Sequence, residues 1–248
     1  MHVNDLGSAI ERLMAAGSLA ERWSAVTEIL AGHGADVVNY AVLNTFEADR
    51  AEASVTQFST MDPGWIDFYL AERLDLADPH VAYARESWLR PYYFDEDMAA
   101  RLEPDAARVI RLAAEAGLRS QISVIAPDSY RPHEAIGGMT IGSSQTSKQF
   151  FAEIAGREAG LMAIALLFHS LSIGELRREQ FGGEKLSPRE RDCLTFLSLG
   201  ERNSRIAERL GIAEVTVEMH LRNARRKLRA GTTAQAMARA LVTGEIAI

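Results

Sequence analysis

The sequence has a single cysteine, Cys193, so no disulfide can form within the chain, and the thiol is expected to be a small core side chain. It has no basic start followed by an apolar stretch, so no signal peptide is read. No apolar run reaches the roughly 18 residues of a membrane span. These absences together lead us to expect a cytoplasmic protein with no membrane partner. The six histidines are scattered without metal-ligand spacing. There is no G-x-S-x-G, Walker loop, dinucleotide fingerprint or H-E-x-x-H, so no catalytic residue, metal or cofactor is expected and an enzyme is not the reading. The strand–helix–strand rhythm of a doubly wound sheet is also missing, which argues against a phosphorylation-driven receiver domain.

With 47% apolar and 25% charged residues among 248, the composition is that of a globular protein of one or two domains. The net charge of −7 hides an asymmetry. From Glu184 onward there are 12 Lys and Arg against 8 Asp and Glu; before it, 15 against 26. An acidic first part joined to a basic second part fits a regulator that touches nucleic acid only through its end.

The basic part is densely patterned. Ser187, Pro188 and Glu190 supply an N-cap, a first helical position and a capping-box partner, and Leu194 and Leu197 follow on one face. A second short helix starts near Asn203, read as its cap, and carries Ile206, Ala207 and Leu210 inward to a turn at Gly211. The third helix, roughly Glu214 to Arg229, places Val217, Leu221, Ala224 and Leu228 on one face. Glu218, Arg222, Arg225 and Arg229 share another, with Arg226 and Lys227 beside them. A charged helical face is usually only solvated. Behind a tight helix–turn–helix, an Arg-rich front on an apolar back fits the major groove instead. A last helix begins at Thr232, capped with Gln235.

Ahead of it, two N-terminal helices, the second capped by Ser18 and Glu21, lead to a strand at Val37–Leu43 apolar enough to be central and buried. Another strand is expected near Ser54–Ser59. Trp65 and Tyr69 share a helical face, and Asp78-Pro79 opens a helix. Taken alone, these are two core aromatics and a capped helix. An extended piece at Leu89–Phe94, a helix from Pro104 to Ala116, and strands at Gln121–Ala126 and Ala135–Ser143 complete an antiparallel sheet. One helix from Ser147 to Leu171 is apolar all round, so it needs two partners; the simplest second partner is its copy in another subunit.

The terminal stretch resembles the LuxR-type helix-turn-helix family through L-S-P-R-E-R, Gly200, I-A-E-R-L-G-I, T-V, H-L-x-N-A-x-x-K-L and the T-x-A-x-A-x-A-x-A-L tail. The resemblance implies a four-helix domain that binds double-stranded DNA at two half-sites as a homodimer, with RNA polymerase as a further partner. The implied DNA-facing residues are Thr216, Glu218, Met219, Arg222, Arg225, Arg226 and Lys227, with Asn203. Glu218 stands where the family has a basic residue, and Ala213 where it has a Ser or Thr cap.

The earlier part resembles the autoinducer-binding domain through Trp65 and Tyr69 in W-x-x-x-Y, Asp78-Pro79, and A-G-L-R-S at 116–120. This implies an α+β sensor domain, an α/β/α sandwich around an antiparallel sheet, followed by the all-α four-helix helix-turn-helix domain. The implied domains are 1–171, a linker at 172–184, and 185–248. The implied small-molecule ligand is an N-acyl homoserine lactone in quorum sensing. Trp65 would donate to the lactone carbonyl, Asp78 would accept from the ligand amide, Tyr69 would pack near the acyl chain and Thr140 would lie near the amide; Ser123 joins them. Met61, Gln121 and Tyr93 replace a Tyr, a Gly and a Trp of the family, which leaves open another chain length, another small molecule or action without ligand.

Overall fold

A computed structural model describes residues 3–43, 55–86, 91–127 and 135–247. The chain divides into two compact units, Met1–Leu171 and Ser172–Ile248.

In the first unit, α1 (Val3–Ala15) and α2 (Leu19–Ala31) lead into β1 (Val37–Leu43) and β2 (Val55–Ser59). Then come α3 (Pro63–Ala71), a 3-10 turn, α4 (Pro79–Glu86), β3 (Tyr92–Asp95), a second 3-10 turn, α5 (Pro104–Glu115), β4 (Ser120–Pro127) and β5 (Ala135–Ser143). Ser54 and residues 89–90, expected at strand edges, lie outside the described residues, as does the loop at 128–134. The five strands form one antiparallel sheet in the order β2-β1-β5-β4-β3.

Successive side chains alternate between the faces of a sheet, and directly paired residues share a face. Tyr40 pairs with Phe58 and Met139, and Ile141 with Val38 and Ile122, which makes the centre of one face apolar. That face is the core. Trp23 of α2 stands 5.5 Å from Phe58 and 5.9 Å from Phe168, centroid to centroid, and Phe168 meets Tyr40 edge-on at 4.9 Å. The Tyr40 hydroxyl hydrogen-bonds His169 Nδ1 at 2.8 Å, so the phenol's polar end is satisfied inside the core.

The single helix expected from Ser147 to Leu171 is two helices, α6 (Ser147–Ile154) and α7 (Glu158–Gln180). They are separated at Gly156, whose φ of 75° ends the first. The helical period runs across this break, which is why the sequence reads as one element. By length and composition α7 could cross a membrane. It is equally a core helix, with Leu161, Ile164, Ala165 and Phe168 buried.

The second unit continues α7 and adds α8 (Pro188–Ser198), α9 (Asn203–Leu210), α10 (Glu214–Lys227) and α11 (Thr233–Val242). Cys193, Leu194, Ile206, Val217, Leu221, Ala224, Leu228 and Ala240 form its core. The capping box of Ser187 and Glu190 is present, and Thr232 Oγ1 accepts from Gln235 N–H at 3.1 Å. Three local expectations change. Asn203 is the first residue of α9 rather than its cap; Arg202 holds that position, without a side-chain bond. Arg229 has left α10: it adopts φ 53° and donates from Nε to the Gly182 carbonyl at 2.9 Å. The expected linker, 172–184, is helical through Gln180 and then tied down, with Glu184 N–H on the Lys227 carbonyl at 2.8 Å. Gly174 there serves packing, since a Cβ would stand 2.4 Å from the Thr243 carbonyl oxygen. Arg178 and Arg191 converge on the buried Glu245 at 2.9 and 3.1 Å.

Phe168 touches both α2 and the sheet. Phe168→Ala is expected to cost about 3–5 kcal/mol of unfolding free energy, read from urea denaturation followed by circular dichroism.

Candidate functional site

The second face of the sheet is unlike the first. The pairings align Ser59, Asn39, Thr140, Ser123 and Tyr92 in one row across all five strands. Gly142, Gln121 and Phe94 stand beside it in the next row. Four of the five residues in the main row carry a hydroxyl, and the fifth is an amide. Over this face lie α3 and α4. The His80 ring of α4 is edge-on to Phe94 at 4.7 Å and to Tyr92 at 5.6 Å, and Tyr83 stacks on Tyr92 at 4.3 Å. On α3, Trp65 and Tyr69 have centroids 6.1 Å apart, one turn from each other.

Asp78 is the electrostatic centre. Its Oδ2 accepts from the Tyr69 hydroxyl at 2.7 Å. Its Oδ1 accepts from His80 N–H at 2.8 Å and meets His80 Nδ1 at 2.8 Å. Burial opposes ionisation of this carboxyl, but the His80 and Tyr69 bonds outweigh it and hold it below its ordinary value of 3.8. The same burial, with Asp78 alongside, pushes the Tyr69 phenol far up, so it remains a donor. His80 Nε2 in turn faces Gln121 Nε2. His80 thus bridges the Asp78 carboxylate through Nδ1 and the Gln121 side-chain amide through Nε2. Gln121 Oε1 and Ser123 Oγ are buried, with no hydrogen-bond partner among the described residues. Such groups cost about 1–3 kcal/mol each when left unpaired.

The structure therefore gathers Trp65, Tyr69, Asp78, Gln121, Ser123 and Thr140 on one side of the sheet. Met61 joins them, its sulfur 3.4 Å from Asn39 Nδ2. Tyr93 does not. It pairs with Ile122, on the core side, and its ring lies 6.1 Å from Phe151 of α6. Strand alternation puts its neighbour Tyr92 on the polar side instead. Sequence reasoning also missed His80, Asn39 and Ser59. Asn39 had a signal: it is the one polar residue in V-V-N-Y-A-V-L. No group of three or more metal-ligating side chains occurs among the described residues.

The second unit carries a different chemistry. The outward face of α10 presents Val215, Glu218, Met219, Arg222 and Arg226, all exposed, with Arg225 and Thr216 half-buried at its sides. Val215 is 70% exposed and Met219 39%, so the front of this helix is apolar near its start and cationic beyond. Arg222, Arg225 and Arg226 form no ion pair among the described residues. Arg189, Arg205 and Arg209 elsewhere do, with Asp192, Glu208 and Glu201. Lys227 is also engaged. Its Nζ lies 2.8 Å from Glu190 Oε2, and that carboxylate also accepts from Ser187 N–H at 2.8 Å. Burial works against the Glu190 charge, yet Lys227 and Ser187 hold its carboxyl below the ordinary value. Lys227, expected to face DNA, fastens α10 to α8 through this pair. Asn203 is half-buried in the first turn of α9.

Residues 18–170 match the autoinducer binding domain, and residues 184–240 match the bacterial regulatory proteins of the luxR family. The chain belongs to the LuxR family. It is a transcription regulator that joins an autoinducer-binding domain to a DNA-binding helix-turn-helix domain. The transcriptional activator protein AhyR of Aeromonas hydrophila is 29% identical over 218 residues, covering 86% of this chain and 81% of that protein. Escherichia coli SdiA has the same fold at a TM-score of 0.58 and 19% identity, covering 96% of each chain, and has also been solved with octanoyl-rac-glycerol. CepR2 of Burkholderia cenocepacia, an N-acylhomoserine lactone-dependent LuxR-family factor, matches at a TM-score of 0.55 and 18% identity, over 68% of this chain and 96% of that one.

Two predictions separate structural from functional charge. Lys227→Met leaves Glu190 buried without its cation and is expected to lower stability by about 1–3 kcal/mol. Arg222→Ala is expected to leave the melting temperature unchanged and abolish specific DNA binding in a mobility-shift assay; retained binding would remove Arg222 from the reading face. For Asp78, the depressed folded value means its charge stabilises the fold fully above pH 3.8 and ceases to as pH falls through that lower value. The stability gap between wild type and Asp78→Asn, measured by urea unfolding, is therefore expected to be widest near neutrality and to close on acidification.

Proposed function

We propose that this regulator senses an N-acyl homoserine lactone in quorum sensing. In this reading residues 1–171 bind the ligand and dimerise, and residues 185–248 of two copies bind two DNA half-sites in the cytoplasm, where RNA polymerase is the downstream partner. The observation that carries the reading is the charged Asp78 set among Trp65, Tyr69 and Tyr92, over a face that offers hydroxyls and amides. An acyl lactone is an apolar body with an amide and a carbonyl, and a site of this composition suits it. CepR2, with the same fold, is lactone-dependent. At the DNA end, Arg222, Arg225 and Arg226 hold phosphates or read guanine, while Val215 and Met219 suit thymine methyl groups.

A second reading, a small molecule of another class, has its own support. Both Asp78 oxygens are already engaged, by Tyr69 and His80, so a ligand amide competes with a protein donor rather than meeting a bare carboxylate. The SdiA complex with octanoyl-rac-glycerol is a precedent for this fold.

Ligand at a hundred times its dissociation constant stabilises the folded state by about 2.7 kcal/mol, which raises the melting temperature by roughly 5–10 °C in a chain of this size. Purified full-length protein melted against a chain-length series of N-acyl homoserine lactones is expected to show that rise for one length. A flat lactone series with a rise for octanoyl glycerol would transfer the assignment to the second reading.

A further inference from the structure

From α8 onward, the acidic residues of the second unit are accounted for with one exception. Glu190, Asp192, Glu201, Glu208 and Glu245 each pair with a lysine or an arginine. Glu214 is the first residue of α10, where the positive end of the helix dipole favours a negative charge. Glu218 has neither advantage. It stands in the second turn, exposed, and its side chain has no ion pair or hydrogen bond among the described residues. Arg222, four residues on, is the partner that helical spacing offers, and no ion pair joins them. Spacings of three, four and seven residues set Val215, Arg222 and Arg225 on the same stripe as Glu218. A free carboxylate thus sits in the middle of a face whose other charges are cations.

Against a polyanion that carboxylate is repelled by the phosphates the arginines would hold, so it weakens binding to an arbitrary duplex. The base edges differ in what they offer it. In the major groove guanine shows two acceptors, thymine an acceptor beside a methyl, and adenine an amino group beside the N7 acceptor. Cytosine shows an amino donor with no acceptor beside it on its own edge. We propose that Glu218 makes a cytosine a requirement of each DNA half-site, by accepting a hydrogen bond from the cytosine N4 amino group. With α10 lying along the groove, four residues of helix rise about 6 Å, close to two base-pair steps of about 3.4 Å. The cytosine therefore stands about two base pairs from the guanine that Arg222 takes. The carboxylate supplies discrimination and not affinity, because its repulsion is offset on that base alone. This rests on the DNA-facing reading of α10 and narrows it; Glu218 is a specificity-determining residue.

The test selects bound sequences from a pool of duplexes with a randomised centre, using full-length protein with the lactone series present. Wild type is expected to enrich two half-sites, each with a fixed cytosine about two base pairs from a guanine. Glu218→Gln is expected to move the preference at that position to adenine, whose N6 and N7 a side-chain amide pairs with, and to keep the other positions. Glu218→Ala is expected to accept all four bases there, to lose about tenfold or more of discrimination against a mismatched site, and to bind a random duplex more tightly than wild type. Both variants are expected to melt with wild type, since an exposed, unpaired side chain is all that changes. A wild-type site with no fixed cytosine, or a cytosine that stays fixed in both Glu218 variants, overturns the proposal and leaves α10 as the groove helix. A pool from which full-length protein enriches nothing, or a selected site that Arg222→Ala leaves unchanged, overturns the DNA face of α10 as well.

Discussion

One sheet has to serve two solvents. Its five strands alternate side chains with a period of two, and the register gathers Val38, Tyr40, Phe58, Ile122, Met139 and Ile141 on one side and the row from Ser59 through Asn39, Thr140 and Ser123 to Tyr92 on the other. The apolar side is a conventional core, closed by Trp23 and Phe168. The other side combines aromatic walls with a polar floor. Neither could exist without the other. Phe168 and Tyr40 hold β1 in place, and β1 is what brings Asn39 opposite Thr140. A slip of one residue in any strand would send hydroxyls into the core and expose Tyr40 or Ile141.

This dependence explains what could be read from the chain and what could not. Strand positions were legible because runs such as V-V-N-Y-A-V-L have no other stable use. The roles of Trp65, Tyr69 and Asp78 as neighbours were legible because helical spacing and a cap are local. Facing was not. Tyr92 and Tyr93 are chemically identical, and only their pairing with Ser123 and Ile122 tells which one lies over the polar side. Asn39 was hidden inside a strand whose apolar majority set the reading. The break at Gly156 was hidden because the helical period resumes after it. His80 escaped notice because its importance comes from the through-space sequence Asp78, His80, Gln121, which no one-dimensional spacing displays.

The reader unit shows the same division between charges that hold and charges that reach. Its basic residues look alike in sequence, yet they fall into separate groups. Lys227, Arg178 and Arg191 are bound to the buried Glu190 and Glu245, whose charges would be costly without them, and Arg177 donates to the Val242 carbonyl. Arg222, Arg225 and Arg226 form no ion pair among the described residues, which is what the proposed DNA-facing role asks of them. The sorting follows helical phase: Lys227 sits just past the edge of the outward face, close enough to α8 to find Glu190. A count of basic residues therefore overstates the DNA-reading charge of this helix.

In the proposed reading, the linkage between ligand and fold runs through the Asp78 network. Tyr69 is on α3, Asp78 and His80 open α4, and Gln121 is on the sheet, so one chain of hydrogen bonds ties both covering helices to the floor they cover. α3 has no buried residue of its own, and Phe68 and Leu70 are exposed. Its attachment depends on the Tyr69–Asp78 bond more than on packing. A ligand that displaces His80 from Asp78, or adds a bond at Gln121 Oε1, acts directly on that attachment. In that reading it stabilises the cover by giving α3 and α4 an apolar surface to close on and by pairing Gln121 Oε1 and Ser123 Oγ, which have no partner among the described residues. Differential stability of this cover, rather than a remote signal, is thus the physical means by which a small molecule can set how much folded regulator there is.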